Sequence, residues 1–264
     1  IFYATEEQKT ETEKFIQEAM NSVPEGNFKK NSKNTIFFQE SEHSPSSESI
    51  RALRTAIHFR LRHVKGSRTL LITSPNPTEG KSTIAVNLAV AFAQNHLKVV
   101  LIDADLRKPK LHKVFEVDSG KGLSDILEGE ARFEEICRAN INGLGFDLIP
   151  CGSISHHPTE VLGSSAMKEF LKNLQNTYDI IILDSPPYLP VADVAVLSEY
   201  ASGVAVVARH NQTDKRHLKD LKRRFNDPEI KLVGVVINRV SVKQKDYYYH
   251  QYYYYGYGDA NAKR

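Results

Sequence analysis

The stretch Thr69-Leu-Leu-Ile-Thr73 runs through Ser74-Pro-Asn-Pro-Thr-Glu into Gly80-Lys81-Ser82-Thr83, and an apolar run from Ile84 to Gln94 follows. A short β-branched strand, a turn and a long helix in that order leave few folds open. The first N–H groups of a helix point at whatever sits before it, and the helix dipole favours an anion there. Glu79, Gly80, Lys81, Ser82 and Thr83 are therefore expected to cradle phosphates. Lys81 would reach the β and γ phosphates and the Ser82 hydroxyl would hold Mg²⁺. The usual pattern is G-x-x-x-x-G-K-[ST], and Pro75 stands where its first glycine belongs. An ordinary turn with a surface lysine is the plainer reading. The strand before the motif and the apolar helix after it argue against that.

Two further apolar runs end in acids. Lys98-Val-Val-Leu-Ile-Asp103 continues as Ala-Asp105-Leu-Arg107-Lys-Pro109, and Tyr178-Asp-Ile-Ile-Ile-Leu-Asp184 continues as Ser-Pro186-Pro187. Runs without polar alternation predict strands buried on both faces, as in a parallel sheet. Ligands of open α/β sheets bind at the carboxyl ends of such strands. Asp103, Asp105 and Asp184 beside a phosphate cradle suit Mg²⁺ binding and general-base work. One strand-end aspartate is common; Asp-x-Asp-x-Arg about twenty residues beyond a cradle is not.

Further strands are predicted over 145–150, 203–208 and 232–238, and helices over 159–176, 193–201 and 215–225, with Thr159 or Ser155 as caps for the first. Short helical pieces are expected over 120–130 and 134–137. Alternating strands and helices imply a mostly parallel, twisted sheet with helices on both faces and right-handed crossovers. Before the cradle, Ser44-Pro45 is a helix start, a capping serine with proline in the first turn. In that helix Ile50, Leu53, Ile57 and Leu61 recur at helical spacing. Glu48, Arg51 and Arg54 fan over about 120° of another face. They are either a solvated charged stripe or a surface that docks a neighbouring subunit.

Length and charge bound the rest. The 264 residues suit one large α/β domain with extensions. A net charge of +3 argues against a general nucleic-acid binder. Cys137 and Cys151 have no metal-binding spacing and read as reduced thiols. His156 and His157 sit in a loop without a third ligand, a poor basis for a metal site. No apolar run approaches the ~20 residues that span a bilayer. Starting at Ile1 rather than Met reads as a piece of a longer chain.

The two ends are of another kind. Residues 1–43 are polar with a weak helical pattern and read as an arm or juxtamembrane-like linker. Residues 241–264 carry Tyr247, Tyr248, Tyr249, Tyr252, Tyr253, Tyr254, Tyr255 and Tyr257, eight of the chain's twelve tyrosines. No aliphatic partners accompany them, so a packed role is not expected. A sticky low-complexity tail, a stacking surface for nucleic acid and a set of phosphate acceptors compete. A flexible end on a nucleotide-binding domain favours the acceptors.

Taken together, these residues resemble the catalytic domain of bacterial tyrosine kinases, the P-loop autokinases that control capsule and exopolysaccharide export. The resemblance covers about residues 44–264 and leaves 44–240 as the kinase domain. It rests on 75–83 as the A motif, 102–109 as the A′ motif, 180–187 as the B motif, Glu48-x-x-Arg51-x-x-Arg54 as the ring-forming motif, and the tyrosine tail. The family's A motif also lacks the first glycine. Thr78 stands where glycine is frequent, so a slightly stiffer loop is expected.

The resemblance implies a P-loop NTPase fold with about seven or eight strands. It also implies ATP and Mg²⁺ as cofactors and tyrosine autophosphorylation in trans within a ring, expected to be an octamer. Lys81 would stabilise the transferred phosphoryl group. Ser82, Asp103, Asp105 and Asp184 would surround the metal, and Arg107 would join the nucleotide-binding set. Asp105 or Asp103 would take the tyrosine proton. Partners implied are a membrane activator domain, fused or separate, and a tyrosine phosphatase, at the cytoplasmic face of the plasma membrane; no nucleic acid is implied.

From Asn238 onward about 25 residues could reach roughly 80 Å, into a neighbour's site. Eight phosphotyrosines would add about −12 to −16 charges and push such a ring apart.

The competing functions are a partition or septum-positioning ATPase and a non-catalytic nucleotide-binding adaptor. The ATPases carry an extra lysine in the A motif, where this chain has Asn76, and have no use for a tyrosine tail. An adaptor would have lost Lys81 or the acids.

Overall fold

The computed structural model describes residues 36–37, 44–224 and 231–240. The expected tail, with all eight acceptor tyrosines, and nearly all of the expected arm lie outside the described residues. Helix α1 (Pro45–Leu61) starts as its sequence dictates: the Ser44 hydroxyl accepts from the Ser47 N–H at 3.1 Å, and Pro45 occupies the first turn. Then come β1 (Arg68–Thr73), α2 (Lys81–Ala93), β2 (Val99–Asp103), three short helices α3 (Leu111–Phe115), α4 (Leu123–Leu127) and α5 (Phe133–Ile136), and β3 (Asp147–Ile149). The chain continues through α6 (Pro158–Leu162), α7 (Ser165–Leu174), β4 (Ile180–Asp184), α8 (Asp193–Ser198), β5 (Gly203–Arg209), α9 (Lys215–Arg224) and β6 (Leu232–Asn238).

The strands form one parallel sheet in the order β3-β2-β4-β1-β5-β6. The described residues therefore carry six strands, fewer than the seven or eight that the resemblance implies. The period-two pleat divides each apolar run between two cores. Leu70, Ile72, Leu101, Ile180 and Ile182 pack with α1 and α2 on one face. Leu71, Val100, Ile102, Ile181 and Leu183 pack with α7 and α8 on the other. Helix α2 is buried almost all round, from Ile84 to Phe92, which explains an apolar pattern without a polar face.

One helix expectation needs correction. The stretch 159–176 is two helices, not one. Gly163 and Ser164 separate α6 from α7, and Ser164, not Thr159 or Ser155, caps α7 by accepting from the Met167 N–H at 3.2 Å. A Cβ at Gly163 would meet Val196 of α8 at 3.2 Å, so α6 packs tightly on α8 there.

Arg54 also makes a contact within its own domain. Its guanidinium donates to the Ala91 carbonyl at 3.0 Å, near the carboxyl end of α2, where the helix dipole favours a cation. Within the stripe, Glu48 pairs with Arg51 one turn along. At least one of the three expected docking residues thus holds its own domain together. Among the described residues, no helix is long and apolar enough to cross a membrane.

Candidate active site

The carboxyl ends of β1, β2 and β4 lie side by side, and parallel register fixes what they present. Asp103 of β2 is directly opposite Asp184 of β4, and Asp184 is opposite Ile72 of β1. Three runs spread along the sequence from Arg68 to Asp184 therefore place two carboxylates and the start of α2 at one edge.

The loop from Ser74 to Gly80 is built around Glu79. Its carboxylate accepts from the Asn76 N–H at 3.0 Å, the Asn76 amide at 3.1 Å and the Thr213 hydroxyl at 2.6 Å. The side-chain amide of Asn238, at the end of β6, donates to the Glu79 carbonyl at 3.0 Å. Glu79 was expected in the phosphate cradle. Its carboxylate is instead committed to shaping the loop, and only its backbone N–H remains for a ligand.

Thr78 has φ +68° and Gly80 has φ +100°. Both lie in the left-handed region, where a β-branched residue is strained and glycine is not. The expected stiffness at Thr78 thus takes the form of an unfavourable backbone angle. At Gly80 a side chain has no room: a Cβ would sit 2.1 Å from the Asn238 amide nitrogen.

Lys81, the first residue of α2, is only 6 % exposed. Its ammonium lies 3.3 Å from Asp105 and 3.8 Å from Asp184. Burial alone would lower its pKa, but Asp184, Asp105 and Asp103 outweigh that and raise it, so the lysine stays charged.

The three acids differ in what they do. One Asp103 oxygen accepts from the Lys110 and Leu111 N–H groups, each at 2.9 Å, and the other from the Asp105 N–H at 3.3 Å. Burial and the Asp184 charge still push Asp103 up to about 7. Asp105 accepts from the Lys108 N–H at 3.0 Å and faces Lys81. Asp184 is buried and also raised by that burial, against Lys81 and the Ser82 hydroxyl, which lower it. Its Oδ1 is buried with no hydrogen-bond partner.

An orphaned carboxylate oxygen, a serine hydroxyl beside it and a third acid near Lys81 suit a hard cation with oxygen ligands. Among the described residues, no three His, Cys, Asp or Glu side chains are arranged to hold a metal by themselves. Of the expected metal set Ser82, Asp103, Asp105 and Asp184, Asp103 is held by backbone N–H groups, which leaves an open arrangement. That still fits Mg²⁺, which keeps waters and takes phosphate oxygens alongside one or two carboxylates.

Arg107 points elsewhere than expected. Its guanidinium donates to Asp193 at 2.8 and 2.9 Å and to the Thr159 hydroxyl at 3.1 Å, and Thr159 donates to the same carboxylate at 2.6 Å. The buried Asp193 carboxylate at the start of α8 commits this arginine to pinning the segment after β2 onto α6 and α8.

Sequence reasoning gave no role to Thr213 or Asn238. For Asn238 a signal existed, a polar residue at the carboxyl end of an apolar strand. Asn76, where the ATPase reading needs a lysine, is tied to Glu79 and lies 3.1 Å from the His217 ring.

A family model described as an AAA domain matches residues 72–223. Tyrosine-protein kinase YwqD of Bacillus subtilis is 37 % identical over 78 % of this chain and 86 % of its own length. Tyrosine-protein kinase ptk of Acinetobacter johnsonii is 35 % identical over 76 % of this chain; there the chain spans only 27 % of the relative's length. Among solved structures, the kinase domain of the Escherichia coli tyrosine kinase ETK superposes with a TM-score of 0.72 at 30 % identity, over 84 % of this chain and 87 % of that one.

Proposed function

The chain belongs to the bacterial tyrosine-protein kinase family, and from that premise we propose that it transfers the γ-phosphoryl group of ATP to tyrosines of its own kind. The observation that carries the reading is the buried Lys81 ammonium held between Asp105 and Asp184 at the start of α2. A charged lysine kept dry beside a phosphate loop stabilises negative charge on a group in transfer.

Ser82 and Asp184 would hold Mg²⁺, with Asp105 completing the polar wall; the ion, when bound, neutralises charge on the β and γ phosphates. The backbone N–H groups of Glu79 to Thr83 would cradle those phosphates. Asp103, with its proton affinity raised near neutrality, is the group suited to take the phenolic proton. The tyrosine oxygen forms a bond to the γ-phosphorus as the bond to the β,γ-bridging oxygen breaks, and ADP leaves. Asp103 accepts the proton.

The acceptors would be Tyr247 to Tyr257 of a neighbouring copy, in a ring whose contacts include Glu48 and Arg51. A membrane activator, fused or separate, would hold the ring at the cytoplasmic face of the membrane, where it would regulate polysaccharide export. A phosphatase would reset the tail. The alternative of a partition-type ATPase lacks its lysine, since Asn76 is bound into the loop.

Incubation with Mg-ATP followed by phosphosite mapping tests the assignment. Phosphate is expected on the 247–257 cluster in the natural chain and not in Lys81→Met. Tail phosphate in a folded Lys81→Met preparation free of other kinases would remove Lys81 from its role.

A further inference from the structure

Beside the catalytic acids lies a groove of about 960 Å³ that the proposed chemistry does not use. Its wall is the segment 108–116, the same segment whose N–H groups grip Asp103 and Asp105. Lys108, Lys110 and Lys113 line it, against one acid, Glu116. Ile154, 71 % exposed, supplies apolar surface. His112, which also lines it, has a buried Nδ1 with no hydrogen-bond partner. A cleft of this size with an exposed apolar side chain and three cations suits an anionic aromatic group better than a neutral one.

We propose that this groove binds phosphotyrosine in the 241–264 segment of a neighbouring copy, so that a tail already phosphorylated once is held for the next transfer. This rests on the kinase reading above and adds a product-recognition site to it. Three observations select the occupant. The described chain ends at Val240, two residues past Asn238, which touches the phosphate loop, so the tail starts at the mouth of a site. The unmodified tail between Asp246 and Gly258 has no lysine or arginine to repel the groove and no acid beyond Asp246 to attract it. Each phosphate changes that by about −1.5 to −2 charges, turning indifference into attraction.

Spacing fits as well. An extended chain advances about 3.3 Å per residue and turns alternate side chains to one side. A phosphotyrosine in the groove then offers the tyrosine two positions along to the acids next door. The runs Tyr247-Tyr-Tyr249 and Tyr252-Tyr-Tyr-Tyr255 supply such pairs. Tail phosphorylation is therefore expected to be processive, with multiply modified chains accumulating before unmodified ones are exhausted.

The test uses the full chain with all eight tail tyrosines changed to Phe, so its own tail does not compete. Two labelled peptides with the sequence of residues 245–258 are compared by fluorescence anisotropy, one unmodified and one phosphorylated at Tyr252. The phosphopeptide should bind at least about tenfold tighter, with the difference shrinking as salt is raised.

Lys108→Gln with Lys113→Gln should abolish that preference while ATP affinity stays within about twofold, as the backbone N–H groups remain. Lys110 is left in place because its charge also bears on Asp184. Equal affinity for the two peptides, or a preference that survives the double substitution, overturns the proposal. Neither result bears on whether Lys81 transfers phosphate, which tail mapping decides separately. A free-phosphate control that displaces the phosphopeptide as well as phenyl phosphate does would reduce the site to a bare anion patch and also overturn it.

Discussion

Replacing Gly80 by Ala should disable the phosphate loop, and the structure says through which contact. The new Cβ would sit 2.1 Å from the Asn238 amide nitrogen, a separation that no relaxed pair of heavy atoms adopts. Gly80 also holds φ +100°, which an L side chain resists by about 1–2 kcal/mol. If Asn238 swings away, its bond to the Glu79 carbonyl is lost, at about 1 kcal/mol, and the loop loses its anchor on β6. A loss of about 2–4 kcal/mol in unfolding free energy is therefore expected, with weakened nucleotide binding.

A double-mutant cycle separates the two causes. Asn238→Ala alone should cost about 1 kcal/mol. Asn238→Ala added to Gly80→Ala should cost nothing further, because the bond it removes is already lost while the backbone strain stays. Urea denaturation at fixed pH reads both terms. Strictly additive losses would refute the reasoning, because they would mean the two residues do not meet.

Three further outcomes are expected. Asp103 is raised to about 7 in the fold, above the ~3.9 of an unfolded aspartate, so the folded state holds an extra proton between those values. Without metal, stability should therefore fall as pH rises through that window. Asp184→Asn, which removes the neighbouring charge, should flatten the profile; parallel profiles in urea titrations with chelator would contradict this. Thr78→Gly relieves a left-handed β-branched residue at the cost of unfolded-chain entropy, so thermal melts should show a change within about 1 kcal/mol and unimpaired ATP binding; a large loss would mean the Thr78 side chain has a role. Arg54→Ala should lower the melting temperature by removing the bond to Ala91, whereas Glu48→Ala with Arg51→Ala should leave the melt nearly unchanged and reduce oligomer mass. Native mass spectrometry alongside the melts checks both, and an intact oligomer in the pair variant would dismiss the docking stripe.

How much of this was legible in the sequence differs from residue to residue. Lys81 and the acids were legible because each ends or follows a pattern that short-range physics sets: an apolar strand, a turn, a helix start. Their proximity was not, since it depends on β4 lying between β1 and β2 and on Asp103 facing Asp184 in register. The division of labour among the acids was equally hidden, because it is the N–H groups of Lys110 and Leu111 that occupy Asp103.

The partner of Arg107 was hidden for a related reason. The arginine follows the two acids in sequence, but its partner Asp193 stands on a helix that only the folded sheet brings near. The break between α6 and α7 could have been read from Gly163 followed by two serines, a stop and a cap in succession. The contacts of Glu79 to Thr213 and Asn238 cross most of the chain, and no local pattern encodes them.

The most direct measurement mixes two chains that are each incomplete. One carries Lys81→Met with its tail intact; the other is active but has Phe at all eight tail tyrosines. With Mg-ATP, phosphate should appear between Tyr247 and Tyr257 of the Lys81→Met chain only when both are present. An unmodified tail in the mixture, from chains that bind nucleotide and associate, would contradict transfer from this pocket to a neighbour's tyrosines, as would phosphate on the Lys81→Met chain alone.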